Sequence, residues 1–154
     1  MKDKNNARGT RVRGRLRALV TIPTYNEREN IDIIYREVRR SARDCDILII
    51  DDNSPDGTGS IADGLARRDR RVKVMHRTGK LGLGTANVAG MLYALQNAYD
   101  VLISIDADMS HPPANIPKML DRIRNCDCVI GSRYVKDGGM VNWGLKRLFQ
   151  STVA

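Results

Sequence analysis

The sequence predicts an α/β protein built on a doubly wound, mostly parallel sheet. Short apolar runs alternate with segments of helical period along most of the chain. Those runs are near-continuously apolar rather than alternating, as in strands covered on both faces. The polar, turn-forming residues gather just after the runs, where open parallel sheets bind ligands.

The strand candidates are Leu16 to Ile22, Asp46 to Ile50, Val72 to Met75, Asp100 to Ile105 and Cys128 to Gly131. Helices are expected between them. Ile31, Ile34, Tyr35 and Val38 recur at i, i+3, i+4 and i+7; so do Ala86, Ala89, Gly90 and Tyr93, and Ile116, Met119, Leu120 and Ile123. A weaker helix carried by Ile61 and Leu65 spans about Gly59 to Arg68. The order β-α-β-α-β-α-β-α-β implies right-handed crossovers and one layered domain. With 154 residues there is room for one real core. Residues 1–15 are expected to be a disordered basic leader, and residues 16–154 the domain.

The net charge of +8 concentrates in that leader and in Arg67, Arg68, Arg70, Arg71 and Lys73. Such runs are either solvated surface or an attraction to anionic lipid or nucleic acid. Nucleic acid is disfavoured as a partner, because aromatics are 5% of the chain and none interleaves with the basic runs. Three cysteines, Cys45, Cys126 and Cys128, form no disulfide framework and fit a reducing compartment. No apolar run approaches the ~20 residues of a membrane span, and the leader has no apolar core like that of a signal peptide. The expected location is cytoplasmic, peripheral on the cytoplasmic face of a membrane.

Four polar clusters follow the runs: Pro23-Thr24-Tyr25-Asn26-Glu27, Asp51 to Gly57, Asp106-Ala107-Asp108 and Ser132-Arg133-Tyr134. Two carboxylates one residue apart at a strand end suit a hard divalent cation completed by substrate phosphates. Alone, Asp106-x-Asp108 is equally a surface turn; the apolar lead-in Val101 to Ile105 is what aims it at the ligand rim. Asp51-Asp52 repeats the pattern and needs donors, a cation or water to offset its repulsion. It reads either as a turn whose Asp56 or Thr58 caps the next helix, or as a site directing Asp52 to a ribose or base. Gly79 to Thr85 lacks the Gly-Lys-Ser/Thr ending of a Walker loop, and Asn87 replaces the third glycine of a dinucleotide fingerprint. It reads as a flexible loop that offers Lys80 to an anion. Arg133 is a candidate phosphate clamp, and His111 stands before a helix that has Pro in its first turn.

Taken together, Val20-Thr21-Ile22-Pro23-Thr24-Tyr25-Asn26-Glu27, Ile50-Asp51-Asp52-Asn53-Ser54-Pro55-Asp56-Gly57-Thr58, Lys80-Leu81-Gly82-Leu83-Gly84-Thr85, Asp106-Ala107-Asp108-Met109-Ser110-His111-Pro112 and Gly131-Ser132-Arg133-Tyr134 resemble the dolichyl-phosphate (polyprenyl-phosphate) mannosyltransferases. These are inverting, family 2-type glycosyltransferases with a Rossmann-like nucleotide-diphospho-sugar transferase fold. The resemblance implies a donor site lined by Pro23, Tyr25, Asn26, Glu27, Ile50 and Asp52, with Lys80 and Lys146 as further substrate contacts. Asp106 and Ala107 would lie beside the ribose and diphosphate. Asp108, helped by Asp106, would hold Mg²⁺ or Mn²⁺, with Ser110 adjacent. Asp106, Asp108 and Arg133 are the implied catalytic residues.

The implied reaction is metal-dependent transfer of mannose from GDP-mannose to a polyprenyl phosphate with inversion, at a membrane surface and with a membrane subunit as a further candidate partner. Family members continue past the motifs into an acceptor-side region, so the domain is expected to be truncated on that side. The alternatives are a catalytically incomplete nucleotide-sugar-binding fragment or pseudoenzyme, a glucosyl-transferring relative, or a receiver-type signalling domain. The last would want its acidic residues after other strands.

Overall fold

The computed structural model describes residues 14–132. It contains a four-stranded parallel sheet of order β3-β2-β1-β4, made by β1 (Ala18–Thr24), β2 (Asp46–Asp51), β3 (Val72–His76) and β4 (Val101–Ser104). Four α-helices connect or follow the strands: α1 (Ile31–Ser41), α2 (Thr58–Arg68), α3 (Leu83–Gln96) and α4 (Ile116–Arg122). This is the doubly wound order, and it differs from the 2-1-3-4-5 order of flavodoxin-like receiver domains.

The strands are apolar on both sides, and alternation sorts their residues between two cores. One face presents Val20, Ile22, Ile47, Ile49, Val72 and Ile103 to Ile31, Ile34 and Val38 of α1, Ala62 and Leu65 of α2, and Ile116 of α4. The other presents Leu19, Leu48 and Ile50 to Ala86 and Ala94 of α3. Right-handed crossovers explain the split: β1 to β2 to β3 steps one way with its helices on one face, and the return from β3 to β4 carries α3 over the other.

α3 meets the sheet through small residues. A Cβ at Gly90 would stand 3.0 Å from Thr21 Cγ2 and 3.3 Å from Ile50 Cδ1, so glycine is what lets helix and sheet approach. At the far end of α3, Tyr99 closes the turn into β4. Its ring stacks on Tyr93, Arg17 lies over it at 4.8 Å, and its hydroxyl donates to Asp46 Oδ2 (2.8 Å). Burial and that carboxylate raise the phenol to about 12.

The fifth expected strand does not form. Residues 128–132 pair with no strand, and Ile130 is 82% exposed. Topology supplies the reason. α4 packs on the face of α1, and a right-handed crossover over that face leads from β4 toward β1, whose two sides are already paired. An apolar run without a neighbouring strand has no ladder to join. The helix expected after His111 begins slightly later, with a 3-10 turn at Pro113–Asn115 leading into α4. Residues 1–13, most of the basic leader, lie outside the described residues.

Gly90→Val should lower the unfolding free energy by about 1–3 kcal/mol through overpacking against Thr21 and Ile50. Gly84→Ala, where a Cβ meets nothing within 4 Å, should not. Urea unfolding of the two variants beside the parent checks the pair.

Candidate functional site

The sheet opens where β1 and β4 part. The β4 ladder reaches only Ser104, paired with Thr21, while β1 continues through Pro23 and Thr24 beside β2. Ile105 still donates its N–H to Thr21 O. By strand alternation the next group on that edge belongs to Pro23, which has no N–H, so β4 is free to turn away there. Strand order also reverses direction at this point, and open α/β sheets place ligands in such a crevice.

Three turns bound the crevice, and each contains a residue in the left-handed region: Asn26 (φ 59°) after β1, Asn53 (φ 56°) after β2 and Met109 (φ 63°) after β4. Asparagine adopts this conformation readily; methionine does so at a cost, and packing of its half-buried side chain on the core holds it there.

The first two turns are laced together by the acidic cluster after β2. Asp51 is 2% exposed. It accepts from Thr24 Oγ1 (3.2 Å), Ser54 Oγ (2.6 Å) and the Ser54 N–H (3.1 Å). Ser54 Oγ in turn accepts from the Asn26 N–H (3.0 Å). Asp56 accepts from the N–H and hydroxyl of Thr58 and from the Arg28 N–H, and Thr58 Oγ1 accepts from the Glu27 N–H. The turn reading therefore holds for Ser54 and Asp56, but neither Asp56 nor Thr58 is the cap: Gly57 is the N-cap of α2 and no side chain caps it, Thr58 being the helix's first residue. Glu27 is occupied in starting α1: its carbonyl accepts from Asn30 and Ile31, and its side chain accepts from Asn30 Nδ2.

Asp52 points the other way and meets a residue outside the motifs picked out above. Arg77, just past β3, donates from Nε to Oδ1 (2.5 Å) and from Nη2 to Oδ2 (2.7 Å), and the Leu81 N–H adds a third bond at 3.1 Å. Both side chains are at least nine-tenths buried. Hydrogen bonding from Arg77, against the opposing effect of burial, holds the Asp52 carboxyl below its usual range. Arg77 also donates to Thr85 Oγ1 (2.7 Å) and Gly82 O (3.2 Å). The glycine loop is thus tied to the end of β2, and Lys80 Nζ sits over the Tyr25 ring at 4.2 Å. The one available signal was a lone arginine directly after a strand, on the rim that carries two buried acids.

After β4, Asp106 and Asp108 occupy one turn that Ser110 bridges. The Ser110 N–H donates to Asp108 Oδ1 (3.0 Å), and its hydroxyl lies 3.5 Å from Asp106 Oδ2. His111 Nδ1 is 3.3 Å from both the Asp106 N–H and Asp106 Oδ2, and it serves one of them at a time according to its tautomer. No group of three or more His, Cys, Asp or Glu among the described residues is placed to hold a metal by itself. Two carboxylates with the remaining positions left to phosphates and water is nevertheless a normal set for Mg²⁺ or Mn²⁺.

The structure therefore brings Pro23, Tyr25, Asn26, Glu27, Asp52, Lys80, Asp106, Asp108 and Ser110 to one rim. Two expected ligand contacts are core residues: the side chains of Ile50 (0% exposed) and Ala107 (2%) face the packed interior. Arg133 and Lys146 lie outside the described residues. The basic stretch Arg67 to Lys73 sits at the opposite pole, where α2 ends and β3 begins, and does not flank the crevice.

Residues 19–153 match the family model described as Glycosyl transferase family 2. The chain is 48% identical over 132 residues to an undecaprenyl-phosphate mannosyltransferase of Micrococcus luteus, covering 86% of this chain and 54% of that protein. It is 49% identical over 145 residues to a polyprenol monophosphomannose synthase of Mycolicibacterium smegmatis, covering 93% and 55%. It thus spans about half the length of these relatives. A solved mannosyltransferase of Pyrobaculum calidifontis, in complex with GDP-Man and Mn²⁺, superposes with a TM-score of 0.52 at 25% identity, over 62% of this chain and 28% of that one.

Removing one partner of the buried pair should be costly. Arg77→Ala is expected to lose about 3 kcal/mol, while a double replacement of Asp52 and Arg77 by apolar residues loses less. Because the folded Asp52 carboxyl lies below its unfolded value of about 3.9, its stabilisation is present above that pH and disappears as pH falls through the folded value. The gap between denaturant curves of parent and Arg77→Ala should therefore narrow as pH falls through the folded value.

Proposed function

The chain belongs to glycosyl transferase family 2, and from that premise we propose that it is the donor-binding part of a metal-dependent polyprenyl-phosphate mannosyltransferase. The donor is GDP-mannose, the acceptor a polyprenyl phosphate, and the sugar is transferred with inversion at a membrane surface. The observation that carries the reading is that Tyr25, Asp52 and the Asp106–Asp108 turn all follow the carboxyl ends of neighbouring parallel strands, on one rim. The names of the relatives and the GDP-Man and Mn²⁺ bound to the solved mannosyltransferase support the choice of donor, acceptor and metal.

In this reading Tyr25 offers a ring face to the base, and Asp52, fixed by Arg77, offers carboxylate oxygens to base or ribose donors. Asp106 and Asp108 hold Mg²⁺ or Mn²⁺, which when bound offsets charge on the diphosphate. Lys80, on its loop above Tyr25, is the nearby cation for a phosphate, and Arg133 and Lys146 extend that set. An acceptor phosphate oxygen forms the new bond to the anomeric carbon as the bond to the diphosphate oxygen breaks. The attacking oxygen is already anionic, so no side chain has to remove a proton from it. No described helix is long and apolar enough to cross a membrane; attachment to its cytoplasmic face, alone or through a membrane subunit, belongs to the same proposal.

The chain's span of about half its relatives favours a second reading, in which these residues bind donor but do not complete transfer. Calorimetric titration with GDP-mannose should show Mn²⁺-dependent binding that Asp108→Ala abolishes. Binding unchanged in that variant, or absent from the parent, overturns the donor reading. Transfer of radiolabelled mannose to polyprenyl phosphate then separates the complete enzyme from the donor-binding unit.

A further inference from the structure

The loop that carries Lys80 is fixed on both sides of it. Arg77 binds Asp52 and the carbonyl of Gly82. Leu81 donates its N–H to Asp52 Oδ2 (3.1 Å), and its carbonyl accepts from Thr85 Oγ1 (2.9 Å). Only Thr78 and Gly79 lie between Arg77 and Lys80. The backbone at Lys80 is therefore set by the loop's anchors, and the side chain is the part free to move. That residue is exposed, and its ammonium sits 4.2 Å from the centroid of the Tyr25 ring. The loop follows β3 and the ring follows β1, so the contact spans the end of β2 between them. Asp52, at that end, is already paired with Arg77, so the ring rather than an acid holds the ammonium.

An ammonium on a ring face and a base stacked there exclude each other, because both need the same π surface. On the proposed function, on which this assignment rests, that face receives the base of the donor. We propose that Lys80 is a specificity-determining residue: it rests on Tyr25 until a base takes the ring, then turns to the diphosphate of the same ligand. A base stacked on an aromatic ring is the stronger contact and wins the face. A bare nucleoside displaces the ammonium and leaves it without a partner. A nucleoside diphosphate displaces it and supplies an anionic partner on the same rim. The site thereby prefers ligands that carry phosphate. Exposed side chains change rotamer within picoseconds to nanoseconds, so the exchange alters affinity without slowing entry. It also needs no opening of the loop, whose anchor between Arg77 and Asp52 stays closed throughout.

Nuclear magnetic resonance and calorimetry on the full chain test this. With lysines labelled at the ε-carbon, the Lys80 signal, assigned as the one missing from Lys80→Ala, should show an upfield ring-current shift. That shift should vanish in Tyr25→Leu, and in the parent when guanosine is added. In titrations, Lys80→Ala should bind guanosine about two- to fivefold more tightly than the parent, the equivalent of an exposed cation–π contact that no longer has to be displaced. The same variant should bind GDP with Mn²⁺ at least about threefold more weakly. Lys80→Arg, which keeps a cation able to hold the ring, should retain the parent's preference. A parent without the ring-current shift, or with one that persists at saturating guanosine, overturns the proposal. So does a Lys80→Ala variant that binds guanosine no more tightly, or GDP no more weakly, than a parent that binds GDP; the donor reading then stands. A parent that binds neither guanosine nor GDP overturns the donor reading and the proposal together.

Discussion

β2 ends in two adjacent, buried carboxylates, and the rim of the molecule is arranged around satisfying them. Asp51 and Asp52 are 2% and 5% exposed. An ionised group in such a place is tolerated only with a full set of donors. Strand alternation sends the two side chains to opposite sides, so each recruits a different part of the chain. Asp51 takes hydroxyls from Thr24 and Ser54 and thereby joins the turns after β1 and β2. Asp52 takes the Arg77 guanidinium and fixes the loop after β3. The same cluster dictates Gly59 at the start of α2, since a Cβ there would stand 2.9 Å from Asp51 Oδ2.

The fold was legible because its signals are periodic and local. Continuous apolar runs marked β1 to β4, and residues three and four apart marked α1, α2, α3 and α4. The chemistry at the rim was legible only as anomaly: acids after apolar strands had to be doing something, but not with whom. Asp52 and Arg77 lie 25 positions apart, and nothing in the spacing of either points to the other. Motif matching drew Ile50 and Ala107 into the donor site by position, whereas burial assigns both side chains to packing. A motif preserves the place of a residue without stating whether its side chain or its backbone is what that place requires.

The fifth apolar run shows the opposite limit. Cys128 to Gly131 has strand-like composition, but strand formation depends on a free edge reachable by a right-handed crossover, and α4 lies on the wrong face for that. α3 hides a similar ambiguity. Its small residues at 86, 90 and 94 and its large ones at 88, 91, 92 and 95 are both helical series. The series read from the sequence, Ala86, Ala89, Gly90 and Tyr93, is the one turned inward, and close approach to the sheet accounts for its small residues.

Parallel strands also separate charge by pole. α1 and α2 run back from the crevice, so their terminal arginines, Arg39, Arg40, Arg67 and Arg68, stand beside the negative helix ends at the far pole. The net charge of +8 is therefore no description of the crevice. There Asp52 is neutralised by Arg77, and the carboxylates of Glu27, Asp106 and Asp108 with the ammonium of Lys80 make up the remaining charged groups among the rim residues named. A nucleotide diphosphate brings further negative charge to that turn, and like charges at close range destabilise each other by several kcal/mol in a partly dry site. In the proposed reading, a divalent cation held by the two aspartates would reverse the sign of the turn and give the diphosphate a partner. That local charge is a physical argument, beside the sequence pattern, for the proposal that the turn works with a metal.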